Sequence, residues 1–335
     1  MSRAAAAAGG GPAEGEYRAA HDAAVLADRP DVAALHVTGK DAIDLLHRLS
    51  TNDIQRIPEG GGLPTVFTTA KGRILALVTV HRAGAGLHLL LDAARAAAVR
   101  DWIDRYTFRE EVRVEDRSAS HATLLVAGPR SAGIVAGAFP AGSEIARHGA
   151  AEVEVEGSPG LLVRTFPLAG DAWLLSLPAA AAPSGRARLL AAAGGRLVPA
   201  SPDTVEALRI EAGLPVAGRE LTEDHNPWEA RLDDAISLSK GCYVGQEVIA
   251  RLNTYRKVAR LLVRLESGGE SPLPEGADVL AGDETIGAVT SSALLPVGRV
   301  ASLAYVRDED AVAGKPVSVA TPRGRVDAVV AGPAR

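Results

Sequence analysis

The residues best suited to chemistry lie in one stretch, Lys240-Gly241-Cys242-Tyr243-Val244-Gly245-Gln246-Glu247, which contains the only cysteine of the 335-residue chain. An apolar run over 235–239 precedes it and helical spacing follows over 247–252, so the pattern predicts strand, tight turn and helix. A helix beginning near Gly245 would bring its positive dipole end close to Cys242 and favour the nucleophilic thiolate. The alternative is a small buried hydrophobe, the commonest fate of a free cysteine, and the residues alone slightly favour it.

A second candidate is Glu211, at the end of a well-signalled helix. Ser201 suits the N-cap, Pro202 the first helical position, and Gly213 the C-terminal end. Glu211 then lies in the last turn, where the helix dipole disfavours an anion. It is either a solvated surface glutamate or a buried one, and a buried carboxylate needs hydrogen-bond donors that a ligand could provide.

Other common chemistries find no support in the residues. The eight histidines are scattered without ligand spacing, so a metal site built from neighbouring residues is not expected. There is no nucleophile elbow, no dinucleotide-binding glycine motif and no cysteine set for an iron–sulfur cluster. One local basic run could grip an anionic group or form a solvated helix face. Its members are Arg251, Arg256, Lys257, Arg260 and Arg264.

Composition limits the partners and the compartment. Lys plus Arg total 36 against 41 for Asp plus Glu, a net charge of -5, so nothing global indicates nucleic acid or an anionic membrane. Cysteine poverty fits a reducing cytoplasm, and no apolar run approaches the roughly 20 residues that span a bilayer. A cytoplasmic monomer is expected. Residues 1–20 offer so little apolar surface that they are expected to form a disordered tail.

The elements that must position these residues follow an α+β pattern. Strand-like runs flank Lys71-Gly72 and predict a hairpin, Thr38 to Asp41 has the spacing of a capping box, and a helix is predicted over Ala93 to Tyr106. From Val258 onwards, short apolar runs between turn signals predict a small antiparallel barrel or sandwich. The expected domains are a tail at 1–20, a two-lobed region at 21–255 and a barrel at 256–335.

The stretch Lys240 to Glu247 resembles the signature of the YgfZ-type folate-binding proteins, which are relatives of the glycine-cleavage T-protein. Only this cysteine motif is specific by itself. Further segments support the resemblance by their order, namely Ser50-Thr51-Asn52-Asp53, Lys71-Gly72-Arg73, Arg209-Ile210-Glu211-Ala212-Gly213, Pro227-Trp228-Glu229-Ala230 and Gly287-Ala288-Val289-Thr290-Ser291.

The resemblance implies a three-lobed, T-protein-like α+β fold around a folate pocket, with a small antiparallel β-barrel last. It implies tetrahydrofolate as the cofactor, with Glu211 anchoring the pterin ring. The physics agrees, because a pterin presents adjacent N–H donors that one carboxylate can accept. The further candidate folate-binding residues are Lys240, Tyr243, Gln246, Lys71 and Arg73, and the candidate catalytic residue is Cys242. The basic run could hold the glutamate tail of folate.

One departure separates this sequence from the T-protein itself. That enzyme carries an acidic pair on the second hairpin strand, where this chain has Leu75-Ala76. The resemblance therefore favours a tetrahydrofolate-binding accessory factor in the assembly or repair of iron–sulfur proteins, including tRNA-modifying ones, with those proteins as partners. The alternatives are a folate-dependent one-carbon (aminomethyl) transferase and a binding module that senses folate.

Overall fold

The computed structural model describes residues 11–255 and 258–334. The described helices are α1 (Glu14–Asp22), α2 (Ala42–Leu49), α3 (Ala96–Arg105), α4 (Ser131–Ala138), α5 (Ala182–Ala193), α6 (Pro202–Glu211) and α7 (Gln246–Tyr255). Two mixed α+β lobes precede a C-terminal barrel. The predicted three-lobed fold is therefore confirmed.

The first lobe is a five-stranded sheet covered by α2 and α3. Its strands are β2 (Val32–Thr38), β3 (Gly62–Thr68), β4 (Ile74–Ala83), β5 (Gly86–Asp92) and β6 (Arg113–Asp116), in the order β3-β4-β5-β2-β6. Leu45 and Leu49 of α2 and Val99 and Ile103 of α3 pack against this sheet in one core. The helical spacing of those residues turns them to one face, which is why they bury together.

The second lobe is a six-stranded sheet. Its strands are β1 (Ala24–Asp28), β7 (His121–Ala127), β8 (Ala150–Val155), β9 (Ser158–Arg164), β10 (Ala172–Pro178) and β11 (Leu197–Pro199), in the order β11-β1-β7-β10-β9-β8. One face packs on α4 and α5, whereas α1 and α6 lie against the other. The chain enters this lobe first, makes the first lobe, and returns to finish it.

The third lobe is a closed antiparallel barrel. Its strands are β12 (Arg260–Gly268), β13 (Asp278–Ala281), β14 (Glu284–Leu295), β15 (Arg299–Arg307), β16 (Pro316–Thr321) and β17 (Gly324–Pro333), in the order β12-β15-β14-β13-β16-β17. Closure leaves no unpaired strand edge. An apolar cluster joins Ala207 and Ile210 of α6 and Ile74 of β4 to Leu303 and Tyr305 of β15, so this cluster fixes the barrel against both other lobes.

Several local predictions hold. The hairpin around Lys71-Gly72 is the β3–β4 pair, in which Val66 faces Leu77. The helix predicted over Ala93 to Tyr106 is a short 3-10 turn followed by α3. Ser201 caps α6 by accepting a hydrogen bond from the Thr204 amide at 3.4 Å.

Three local predictions are wrong. The expected disordered tail conflicts with α1 over residues 14–20, which tertiary hydrogen bonds hold in place; residues 1–10 lie outside the described range. Residues 236–239, expected as a strand, form an irregular loop. The Thr38 to Asp41 capping box does not form, because Thr38 still belongs to β2 and α2 begins only at Ala42; the Asp41 carboxylate accepts a hydrogen bond from the Glu111 amide.

Within the described ranges, no helix combines the length and the apolar character that a bilayer crossing requires.

Gly287 tests how tightly the barrel is packed. A Cβ placed there would lie 2.0 Å from the Tyr305 carbonyl oxygen on the neighbouring strand, so backbone would have to move. We expect Gly287→Ala to lower the free energy of unfolding by about 1–3 kcal/mol in urea denaturation. Gly133→Ala is the control, since nothing lies within 4 Å of a Cβ at that site on α4. A neutral Gly287→Ala would contradict the packing described.

Candidate functional site

Glu211 lies at the last position of α6, as the sequence predicts, and its side chain is 23% exposed. It is therefore partly buried and not a freely solvated surface residue. Gly213 follows with a φ of 77°, in the left-handed region that glycine adopts readily. The carboxylate stands at the negative end of the helix dipole, so it requires compensation from donors outside the helix.

Helix α1 supplies that compensation. The Tyr17 hydroxyl donates to Glu211 Oε1 at 2.7 Å, and His21 Nε2 lies 3.0 Å from Oε2. Arg299 of β15 adds a cation at 3.8 Å from Oε1. Burial, followed by the Glu211 carboxylate, raises the pKa of the Tyr17 hydroxyl above its ordinary value, so the hydroxyl keeps its proton. Both oxygens of Glu211 thus have a partner on α1.

A cavity of about 400 Å³ opens beside this carboxylate. It is lined by Glu14, Tyr17, Arg18, His21, Asp22, Glu211, Pro296 and Arg299. A carboxylate oxygen has two lone pairs, so each oxygen of Glu211 can accept a second hydrogen bond from the cavity side. The arrangement suits a planar ligand with two adjacent N–H donors.

A buried polar network fixes α6, and with it Glu211, to the barrel. Arg209 Nη1 lies 3.3 Å from the Glu220 carboxylate, and Arg209 Nη2 donates to Ser291 Oγ at 2.7 Å. Ser291 in turn donates to Glu220 at 2.6 Å. Glu220 is completely buried, and a buried charge is tolerated only when paired in this way. Two of the motif segments, around Arg209 and Ser291, thus have a shared structural role.

The predicted basic run does not converge on one group. Arg251 pairs with Glu247 on the exposed face of α7 at 2.7 Å, whereas Arg264 donates to the Glu211 and Pro333 carbonyl oxygens, each at 3.2 Å. Arg256 and Lys257 lie outside the described residues. The described members therefore do not form the tail-binding patch that the sequence suggested.

Lys240 is buried and structural. Its ammonium donates to three backbone carbonyls, those of His47, Ser50 at 2.6 Å and Asn52 at 2.9 Å. Burial lowers the pKa of Lys240 to about 8, so the group is still protonated at neutral pH. An ammonium has three donors, and all three are used. The structure therefore gives Lys240 a structural role and leaves it no unused donor with which to support the predicted folate contact.

The loop that contains Cys242, residues 240–245, contacts the C-terminal end of α2. Cys242 is exposed, contrary to the buried alternative, and lies four residues before α7 begins at Gln246. Tyr243 is buried against Ile236 and Ile249, and burial raises its pKa to about 12. The loop is further tied down where Thr68 Oγ1 donates to the Val244 carbonyl at 2.7 Å.

The remaining candidates also lie away from the Glu211 cavity. Lys71 is exposed at the hairpin turn, and Arg73 donates to the Asp224 carbonyl at 2.7 Å. The hairpin turn adjoins α7, since a Cβ on Gly72 would lie 3.1 Å from Val248. The cavity around Glu211 has no lining residue from 240–247. The predicted site residues therefore form two separate groups, and Glu211 is the member of the predicted set that lines the cavity.

The hairpin strand β4 presents no acid to this cavity. Leu75 and Ala76 are buried in the first-lobe core, whereas Leu77 packs against the cluster that contains Ile210. No residue of β4 lines the Glu211 cavity. In the part of the chain that the structure describes, no three metal-binding side chains come together either.

Tyr17 and His21 are the site residues that sequence reasoning missed. Tyr17 falls inside the segment expected to be a disordered tail, residues 1–20, and His21 directly follows it; the composition of that segment offers no apolar face. The one available signal was their spacing of four residues, which places two hydrogen-bonding side chains on the same side of a helix.

Fold and cavity together define a protein of the glycine cleavage T-protein class. Residues 10–240 match the GCVT N-terminal domain family and residues 257–334 match the glycine cleavage T-protein C-terminal barrel domain. The chain belongs to this family.

Relatives agree over most of the chain. An aminomethyltransferase of Rubrobacter xylanophilus is 31% identical, covering 88% of this chain and 79% of that protein. One of Moorella thermoacetica is 32% identical, covering 93% and 86%. The fold matches the crystal structure of glycine cleavage system aminomethyltransferase T from Bartonella henselae with a TM-score of 0.84 at 22% identity, over 95% of this chain and 87% of that one.

These relatives overturn one prediction. The expected role as an accessory factor for iron–sulfur proteins is contradicted, because the similar proteins are named aminomethyltransferases at about 30% identity over most of their length. The comparisons fit the alternative prediction of a folate-dependent one-carbon transferase better.

Lys240 provides a test of its structural role. Lys240→Met removes the buried ammonium that donates to the carbonyls of His47, Ser50 and Asn52, so we expect the free energy of unfolding to fall by about 3 kcal/mol in urea denaturation. Lys71→Met, at an exposed position, is the matched control and should change stability by less than about 0.5 kcal/mol. Equal stabilities for the two variants would refute the structural role of Lys240.

Strand β4 can be tested with two acid substitutions. Ala76 is 2% exposed in the first core, so Ala76→Asp buries an unpaired charge and should cost about 3–5 kcal/mol of stability. Leu77→Asp, at a partly exposed position, should cost at least about 2 kcal/mol less. Thermal unfolding of both variants measures the difference. A larger loss of stability for Leu77→Asp than for Ala76→Asp would contradict the burial of Ala76 in the first-lobe core.

Proposed function

We propose that this protein binds tetrahydrofolate, with its pterin ring on Glu211, and acts as a folate-dependent one-carbon transferase of the aminomethyltransferase type. The observation that supports the proposal is the environment of the Glu211 carboxylate. It accepts hydrogen bonds from Tyr17 and His21 of α1, and it borders a cavity of about 400 Å³. The names of the relatives supply the reaction class.

The residues present fit a pterin. Its pyrimidine ring carries a ring N–H beside an amino group, and a carboxylate that accepts both forms a two-point, charge-assisted contact. Glu211 retains acceptor capacity for both, because α1 takes one hydrogen bond on each oxygen. The cost of an anion at a helix C-terminus is then offset from both sides.

The tail of folate carries carboxylates, and two arginines stand beside the cavity to meet them. The side chain of Arg18 is 69% exposed and that of Arg299 is 49% exposed. Arg18 is engaged only with Glu14 on its own helix, an exposed pair that is worth little and easily exchanged. These residues replace the run Arg251 to Arg264 as candidates for the tail.

Tetrahydrofolate would supply the secondary amine that takes up the one-carbon unit. The protein contributes orientation and proton transfer. Since no residue of β4 lines the cavity, and Glu211 and His21 are engaged in holding the pterin ring, proton transfer by the protein at the cavity falls to Glu14 or Asp22. The narrower assignment to the YgfZ-type branch stays a prediction that rests on the motif around Cys242.

Glu211→Gln tests the binding site. The variant keeps the size of the side chain but removes the charge and one acceptor, so we expect tetrahydrofolate to bind about 10- to 100-fold more weakly in calorimetric titration. Glu223→Gln, on the exposed surface, is the control and should bind as the wild type does.

Turnover is measured on the same preparations with methylene- and formyl-tetrahydrofolate. A wild type that binds no folate would refute the whole proposal. A wild type that binds folate but turns over neither compound would leave a folate-binding protein without the proposed transfer activity.

A further inference from the structure

Helix α1 contributes five of the eight residues that line the Glu211 cavity, although it is a short helix with few apolar side chains. With this cavity as the folate site, on which the following inference rests, α1 is placed to prepare the Glu211 carboxylate for the pterin ring.

The position of α1 is fixed by a contact away from the cavity. Glu16 Oε2 accepts hydrogen bonds from the Ser201 amide at 2.8 Å, the Ser201 hydroxyl at 2.7 Å and the Thr204 hydroxyl at 2.6 Å. This places a negative charge at the positive end of the α6 dipole. Ala20 is fully buried beneath the same helix. Tyr17 and His21 are therefore held at defined positions relative to Glu211.

The two donors approach the carboxylate from the α1 side. Tyr17 meets Oε1 and His21 meets Oε2, and their rings contact each other with centroids 4.6 Å apart. With one hydrogen bond on each oxygen, the carboxylate loses its freedom to rotate about its last bond. Its remaining lone pairs are then presented in a fixed direction.

We propose that Tyr17 and His21 are positioning residues for the pterin ring: by holding one lone pair of each Glu211 oxygen, they orient the carboxylate to accept two adjacent N–H donors. Preorganisation of this kind raises affinity because the ordering cost is met before the ligand arrives. The opposite possibility is that the two side chains compete with the pterin for the same oxygens. The two ideas predict opposite changes in affinity.

Tyr17→Phe separates them, because it removes one hydroxyl and keeps the ring. We expect the variant to bind tetrahydrofolate about tenfold more weakly in calorimetric titration, as loss of a hydrogen bond to a charged group implies. Tyr106→Phe, at the end of α3 in the first lobe, is the matched control and should bind as the wild type does. Thermal unfolding confirms that both variants are folded.

Rescue and coupling distinguish positioning from general packing. His21→Gln keeps an N–H donor and should bind within about threefold of the wild type, whereas His21→Ala should lose about tenfold. In a Glu211→Ala background, Tyr17→Phe should change affinity by less than about twofold, because the group it positions is gone.

Unchanged or tighter binding by Tyr17→Phe would overturn the inference, and tighter binding would show competition with the pterin. Equal losses in His21→Gln and His21→Ala would also overturn it. Absence of tetrahydrofolate binding to the wild type would instead refute the proposed function, so the two failures are distinguishable.

Discussion

The arrangement of the lobes depends on a carboxylate at the C-terminal end of a helix, where the helix dipole is negative. Glu211 ends α6, where the dipole opposes negative charge, and the donors that compensate it come from the N-terminal helix and from the barrel. The helix contacts the first lobe and the barrel as well as its own lobe, because Ala207 and Ile210 pack in the cluster that joins them, and its buried Arg209 pairs with Glu220. The site is therefore a product of domain assembly and not of one lobe.

The cysteine motif has a different physical role from the one its composition suggests. Lys240 acts as a C-terminal cap of α2. Its ammonium donates hydrogen bonds to carbonyl oxygens at the end of that helix, where helices leave acceptors unpaired. The same contact fixes the polar break at Ser50 and Asn52, so two segments 190 residues apart form one unit. Cys242 lies exposed at the surface of this unit.

Sequence patterns predicted those parts whose causes are local. The hairpin at Lys71-Gly72, the capped helix ending at Glu211 and the C-terminal barrel all follow from periodicity and turn residues, and the family resemblance supplied the three-lobed arrangement. What could not be predicted depends on distant partners. Tyr17 and Glu211 are 194 positions apart in the sequence, and the composition of α1 does not predict their contact. The reaction class was predicted only as the alternative, because the absent acid at Leu75-Ala76 was given more weight than the overall resemblance to the T-protein.

The attachment of α1 through Glu16 has a practical consequence for anyone preparing this protein. Compositional criteria would place the start of the folded part after residue 20, and a chain trimmed there would lose the three hydrogen bonds at Ser201 and Thr204 together with the Tyr17 donor to Glu211. Such a shortened protein would keep His21 but not the helix that positions it, and it would lose Ala20 from the core of the second lobe. Its cavity would then contain an unsupported anion, so a failed binding measurement on it would describe the trimming and not the natural chain.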